Sequence, residues 1–214
     1  MKKNLFLLDH PILQDKLAVL RNKTTSSVVF RRTLSEISRL VAYEATRDLA
    51  LSPVELETPM AQTTAYMVSE QPIIVSILRA GNGMMDALQT MLPFASGGHI
   101  GIYRDKFIRN TVEYYFRLPK ESAGKRILLA DPVLATGDTA IASIDRLKEY
   151  RVGPIRMLCV LVSGEGVDKV HHFHPDVEIY AVSQEPELNQ DGYLIPGIGD
   201  AGNRLYQSSR TVAD

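Results

Sequence analysis

The sequence predicts an α/β fold, a parallel sheet core flanked by helices, in one domain spanning residues 1–214. Three observations lead there. Ile73 to Leu78, Ile127 to Ala130, Met157 to Val162 and Val177 to Val182 are short, continuously apolar runs, the pattern of strands buried on both faces. Helical spacings such as Ile141, Ile144, Leu147 stand between them, so strand and helix alternate as βαβ units do. At roughly 150 residues per domain the 214 residues amount to about 1.4 domains, one domain or a core with an appendage, and no repeat, low-complexity tract or flexible linker divides them, which favours one compact unit.

Along the chain, Leu34, Ile37, Leu40, Val41, Ala45 and Leu49 recur at helical spacing with charges between them, which predicts an amphipathic helix ended by Pro53. The βα alternation starts at residue 72. Residues 103 to 119 interrupt it: Tyr103-Arg104-Asp105-Lys106 and Thr111 to Phe116 flank Arg109-Asn110, which predicts a tyrosine-rich hairpin arm. An isolated two-stranded arm is marginal in water, so it should pack on another subunit or close over a ligand.

Composition narrows the function. Apolar residues make up 45% of the chain, enough for a core that needs neither metal nor disulfide, and the single Cys159 provides no cysteine framework. The apolar stretch Leu5 to Leu8 is too short for a signal peptide, and no run reaches the roughly 18 apolar residues of a membrane span, so a cytoplasmic location is expected. With 24 basic and 25 acidic residues the net charge is −1, which gives no general attraction to nucleic acid or anionic membranes. The expected partner is a small molecule.

Ligands of parallel sheets bind beyond the carboxyl ends of the strands, so the residues after each run carry the chemistry. The strongest group is Ile127 to Ala130 followed by Asp131, Pro132, Val133, Leu134, Ala135, Thr136, Gly137, Asp138 and Thr139, with a helix expected near Ala140. A buried strand delivers an acid, and a threonine-glycine-threonine turn opens onto a helix N-terminus, whose free N–H groups and positive dipole end bind anions. The plain alternative is an ordinary βα turn with a threonine cap. The second group is Ile77-Leu78-Arg79-Ala80-Gly81-Asn82-Gly83-Met84-Met85-Asp86. It lacks the third glycine of a dinucleotide fingerprint, and an arginine there suits a diphosphate held by two parallel bonds. The third, Leu188 to Gly202, places four glycines and a proline in residues 192 to 202, so that exposed backbone can read a flat heterocycle while Asp200 contacts a sugar. A disordered tail is the alternative, opposed by Tyr193, Leu194, Ile195 and Ile198. His171, His172 and His174 have a spacing that could ligate a metal, but no carboxylate cluster accompanies them, and a solvated helix end is the expectation.

At these residues the chain resembles the type I phosphoribosyltransferases. Asp131 to Thr139 looks like their phosphoribosyl diphosphate loop. Asp131-Pro132 in place of an acid pair, Ile77 to Met85, and Gly192 to Arg204 resemble the uracil phosphoribosyltransferases within that group, as do His10-Pro11, Tyr43-Glu44-Ala45-Thr46 and Tyr103-Arg104. The resemblance implies a hood built from the chain ends and a homodimer or higher homo-oligomer joined partly through the hairpin arm. It further implies transfer of phosphoribose from 5-phosphoribosyl 1-diphosphate to N1 of uracil, giving UMP and diphosphate with Mg2+, and in some relatives activation by GTP. By the same resemblance, residues 135 to 139 hold the 5′-phosphate, and Asp131 holds ribose hydroxyls or magnesium-bound water. Arg79 and Arg104 neutralise the departing diphosphate, while Leu194 and Gly199, Asp200, Ala201 read uracil, with Asp200 also beside the sugar and the magnesium.

Some residues depart from the family pattern. Gly137-Asp138-Thr139 replaces Gly-Gly-Ser and puts an acid inside a phosphate loop, Val133 replaces a methionine, Ser163-Gly164-Glu165-Gly166 replaces Ala-Pro-Glu-Gly, and residues 53 to 71 match poorly. Two rival readings remain at this level. A purine phosphoribosyltransferase would carry an acid pair and an aromatic clamp, neither of which is evident. An RNA-binding relative that kept the fold is opposed by the balanced charge.

Overall fold

The computed structural model describes residues 4–105 and 110–207; the side chains of residues 104, 105 and 110 also lie outside the description. In chain order its elements are β1 (Leu5–Leu7), α1 (Pro11–Arg21), α2 (Ser27–Ala45), β2 (Leu51–Glu57), β3 (Gln62–Val68), β4 (Ile73–Leu78), α3 (Asn82–Met91), β5 (Ser96–Asp105), β6 (Asn110–Arg117), β7 (Ile127–Ala130), β8 (Val133–Leu134), α4 (Asp138–Glu149), β9 (Ile155–Leu158), β10 (Leu161–Ser163), α5 (Gly164–Phe173), β11 (Glu178–Ala181), β12 (Ser183–Glu185), β13 (Glu187–Leu188), β14 (Leu194–Ile195) and α6 (Ala201–Tyr206).

Seven strands form the main sheet in the order β1-β11-β9-β7-β4-β5-β6, parallel except for the β5–β6 pair. Its strands alternate between two apolar layers, which is why they read as unbroken apolar runs. Ile74, Leu128, Leu158 and Tyr180 pack with Leu17, Phe30, Leu34, Met84 and Leu88 of α1, α2 and α3. Ile73, Val75, Leu129, Met157 and Ile179 pack with Ile144 and Leu147 of α4 and Val167 and Val170 of α5. The predicted α/β class is therefore the observed one, helices on both faces of a mostly parallel sheet.

Several local expectations need correction. The N-terminal helix stops at Ala45, where Thr46 caps it and its hydroxyl donates to the Ala42 carbonyl at 2.7 Å, so Leu49 is not helical. Pro53 lies inside strand β2, paired with Tyr66 in the exposed β2–β3 hairpin, where an edge strand tolerates a residue without N–H. Leu5 to Leu7 form an edge strand beside β11. The run Met157 to Val162 is split between β9 in the main sheet and β10 in a small sheet β12-β10-β8.

The hairpin at 103–119 exists, but β5 also pairs with β4, so it closes one edge of the main sheet and is not a free arm. Lys106 and Arg109 lie outside the described residues. The free-standing hairpin is β2–β3 instead. Its surface is exposed throughout, with Met60 93% accessible at the tip and Leu51, Tyr66 and Met67 open along its length.

Candidate active site

Three loops meet at the carboxyl edge of the sheet. β4 and β7 are adjacent, with Ser76 opposite Ala130, so the chain after Leu78 and the chain after Ala130 leave side by side. The approach is close enough that a side chain on Gly81 would run into the Ala130 carbonyl oxygen. The third loop, residues 192–202, arrives from the other side. A cavity of about 210 Å³ is lined by Ala80 from the first loop, Val133 and Ala135 from the second, and Gly192 to Leu194 and Ile198 to Gly202 from the third. A second cavity of about 100 Å³ shares Val133 and Ala135 and continues along Asp131, Leu134, Thr136, Gly137, Thr139 and Ala140. The arrangement is a slot beside a smaller cradle, the two sharing Val133 and Ala135 as a common wall.

The cradle is the N-terminus of α4. That helix begins at Asp138, two residues before the expected Ala140, with Gly137 as its cap at φ +85°. The Ile141 N–H donates to the Gly137 carbonyl at 2.9 Å, the first α-helical bond of α4, so the backbone N–H groups ahead of it are directed out of the helix end, the orientation an anion site uses. Asp131 stands at the mouth. Burial pushes its carboxyl up to about 7, opposed only by the Val133 N–H, which donates to Oδ1 at 3.4 Å. The residue is half-buried and lines the second cavity, so its carboxyl is desolvated by its surroundings yet reachable from the cavity. A desolvated acid with one long hydrogen bond can accept further donors.

Asp138 is tied both to its own loop and to α5. Its Oδ2 accepts the Thr136 hydroxyl at 3.1 Å, and its Oδ1 pairs with Lys169 of α5. Arg79 and Asp200 approach each other at Gly202, where an added Cβ would lie 3.3 Å from Asp200 Oδ1 and 3.8 Å from Arg79 Nη2. Asp200 caps α6 by accepting the Asn203 N–H at 2.8 Å, and its other oxygen accepts the Tyr193 hydroxyl at 3.4 Å. The backbone of Arg104 lies three residues past Gly101, which faces Leu78, at the same sheet edge; its side chain is outside the description. Pro132 and Leu134 support the cradle from below: the Pro132 carbonyl accepts the N–H groups of Val160 and Leu161 at 2.9 and 3.0 Å, and Leu134 is buried.

The third loop is ordered, and two arginines that sequence reasoning did not single out hold it. Arg21, at the end of α1, donates from Nη1 and Nη2 to Glu185 at 2.8 and 2.6 Å and from Nη1 to the Gly197 carbonyl at 3.1 Å. Glu185, 2% exposed, accepts the Gly197 N–H at 2.8 Å. Both sides of one residue's backbone are thus clamped. Burial raises the Glu185 carboxyl, but the Arg21 and Gly197 hydrogen bonds overcome that and hold it below the usual carboxylate range. Gly197, at φ +62°, has no room for a side chain beside the Leu194 carbonyl. Arg204 donates to the carbonyls of Leu20, Asn22 at 2.7 Å and Ile198 at 3.0 Å, with its guanidinium over the Phe30 ring. Arg21 and Glu185 are 164 residues apart, and nothing in the sequence near either marks a pair.

The histidines do not converge on one point. His171 Nε2 lies 3.1 Å from the Val177 carbonyl, His172 packs on Phe173, and His174 is buried 3.3 Å from Asp145. The helix end is therefore not wholly solvated, contrary to expectation. No group of three or more potential metal ligands occurs among the described residues.

The family model for uracil phosphoribosyltransferase matches residues 7–208, nearly the whole chain including all three loops. The chain belongs to the uracil phosphoribosyltransferase family. Relatives include the uracil phosphoribosyltransferases of Polaromonas naphthalenivorans strain CJ2, 45% identical over 95% of this chain and 98% of that protein, and of Legionella pneumophila strain Philadelphia 1, 44% identical over 94% of each. Among solved structures, the AQ2163 protein of Aquifex aeolicus superposes with a TM-score of 0.90 at 31% identity, covering 96% of this chain and 99% of that one. Adenine phosphoribosyltransferase of Leishmania donovani, at 15% identity with 88% and 87% covered, aligns with a TM-score of 0.59 and shares the fold.

Proposed function

We propose that the protein transfers phosphoribose from 5-phosphoribosyl 1-diphosphate to N1 of uracil, releasing UMP and diphosphate. The observation that carries this reading is the pair of adjacent cavities, one at a helix terminus and one walled by glycine-rich backbone, which share Val133 and Ala135 in their linings. In such a transfer the anomeric carbon becomes cation-like as diphosphate leaves, so positioning and charge stabilisation do most of the work.

Each group has a task. The α4 N-terminus and the hydroxyls of Thr136 and Thr139 hold the 5′-phosphate, fixing one end of the sugar. The Asp131 carboxylate accepts the ribose hydroxyls. Arg79 and Arg104 take up charge developing on the diphosphate, and the backbone around Leu194, Gly199 and Ala201 reads the base, held in register by Arg21 and Glu185. Phosphoribosyltransferases generally use Mg2+; here the desolvated Asp131 carboxyl and Asp200 suit a cation that one or two carboxylates bind together with substrate phosphates. A cation held there would supply positive charge beside the diphosphate as charge develops on it.

Uracil offers acceptors at O2 and O4 with a donor at N3, whereas cytosine reverses two of these. A slot arranged for uracil leaves buried groups unpaired with cytosine, at about 1–3 kcal/mol each.

No helix among the described residues is long and apolar enough to cross a membrane, and the reading places the enzyme in the cytoplasm. The exposed β2–β3 hairpin, with Leu51, Val54, Leu56, Tyr66 and Met67 uncovered, supports a homodimer. The deciding experiment incubates the protein with phosphoribosyl diphosphate, Mg2+ and each nucleobase in turn, with and without GTP. UMP should form with uracil alone. Equal product from hypoxanthine or guanine would refute the reading, and faster UMP formation with GTP would identify it as an activator.

A further inference from the structure

Two of the departures from the family pattern touch in space. Gly137-Asp138-Thr139 lies in the phosphate loop, and Ser163-Gly164-Glu165-Gly166 starts α5, which packs on that loop. The Ser163 hydroxyl donates to the Ala135 carbonyl at 2.5 Å and accepts the Gly166 N–H at 2.7 Å. Gly166 sits so close to the loop that a side chain there would strike the Ala135 carbonyl oxygen. Residues three apart on a helix share a face, so the contact that docks Gly166 also carries Lys169 across the loop. The Lys169 Cβ lies 3.6 Å from where a Cβ on Gly137 would be, and its ammonium pairs with Asp138 Oδ1.

An acid at this position is electrostatically awkward. A phosphate monoester carries about −1.5 to −2 charges at neutral pH, and the cradle attracts it through the same helix end that would attract the Asp138 carboxylate. The carboxylate is only 21% exposed, so solvent screens it incompletely.

We propose that Lys169 is a positioning residue of the 5′-phosphate loop: by pairing with Asp138 it holds that carboxylate against α5 and off the incoming phosphate. Asp138 in turn accepts the Thr136 hydroxyl, so the pair also sets the orientation of a loop side chain. Lys169 does not touch the substrate in this scheme, and its charge acts through Asp138. This inference rests on assigning the 5′-phosphate to the cradle, and it does not depend on which base is used.

The test is calorimetric titration with ribose 5-phosphate, together with KM values for phosphoribosyl diphosphate and for uracil. The proteins are wild type, Lys169→Met, which keeps the packed stem, and Asp138→Asn/Lys169→Met. Lys169→Met should weaken ribose 5-phosphate binding and raise the phosphoribosyl diphosphate KM by about tenfold, leaving the KM for uracil and the melting temperature near wild type. Removing the acid as well should restore most of the loss. An unchanged Lys169→Met overturns the proposal, and so does a double variant as weak as the single one, since the lysine would then act on phosphate directly. Normal ribose 5-phosphate behaviour with no UMP formed would instead refute the uracil reading and leave this inference standing.

Discussion

Raising the pH through about 7 should switch on the Asp131 carboxylate and, with it, capture of phosphoribosyl diphosphate. Burial lifts this carboxyl from 3.8 to about 7, with the Val133 N–H opposing too weakly to restore it. A gap of about 3 units, at about 1.4 kcal/mol each, sets an upper bound of about 4 kcal/mol on the cost of ionising it in the ligand-free protein. Because the folded pKa lies above the unfolded one, the associated stability is fully present below 3.8 and is lost as the pH rises through about 7. Activity moves the other way, since only the ionised form accepts two ribose hydroxyls.

With a pKa of 7, about a tenth of the free enzyme is ionised at pH 6, so kcat/KM for phosphoribosyl diphosphate should fall about tenfold per unit below 7, while kcat changes less. The substrate's own phosphate titrates near 6, so the informative quantity is the ratio of wild type to Asp131→Asn, measured by initial rates from pH 5.5 to 8.5. That ratio should rise steeply between 6 and 7.5 and then level. The melting temperature of Asp131→Asn should exceed that of wild type most at pH 8, by less at pH 5, and match it only below 3.8. A constant activity ratio across the range would show that Asp131 does not titrate there or does not act on the sugar.

Arg79→Ala should lower kcat about a hundredfold, the effect of removing a stabiliser of developing charge worth about 3 kcal/mol, with little change in melting temperature; a folded variant with normal kcat would make Arg79 structural. At Gly199 the φ of +72° matters more than space, because a Cβ would meet only Arg204 Cδ at 3.8 Å. Gly199→Val should therefore abolish UMP formation by forcing the loop out of its left-handed conformation while ribose 5-phosphate still binds, and calorimetry with each ligand separates the two effects. Glu185→Gln should raise the uracil KM by about tenfold or more, erode discrimination against cytosine and leave ribose 5-phosphate affinity unchanged. If Arg21→Met/Glu185→Leu folds well and recovers normal uracil kinetics, the pair serves only stability.

The layered α/β architecture is legible in the residues alone, because strands sandwiched between helices must be apolar on both faces and Ile73 to Leu78 and Ile127 to Ala130 advertise that directly. The two loops proposed here to hold phosphate and base also stand out in the residues, because their chemistry is local: an acid, hydroxyls, glycines and a helix start occupy consecutive positions. Elements fixed by distant partners were decided only in three dimensions. The end of α2 at Ala45 is set where Asp48 is drawn to Arg156 and Arg126, not by Pro53. The hairpin after Ser96 joins the main sheet because β4 offers it an open edge, and the β2–β3 hairpin, whose two seven-residue strands carry no buried face, stands free. The clamp of Arg21 and Glu185 on Gly197 and the pairing of Lys169 with Asp138 follow the same rule. A charged side chain announces its type in the sequence, but Coulomb attraction and hydrogen bonding act through space, and only the folded chain brings such partners within 3 Å.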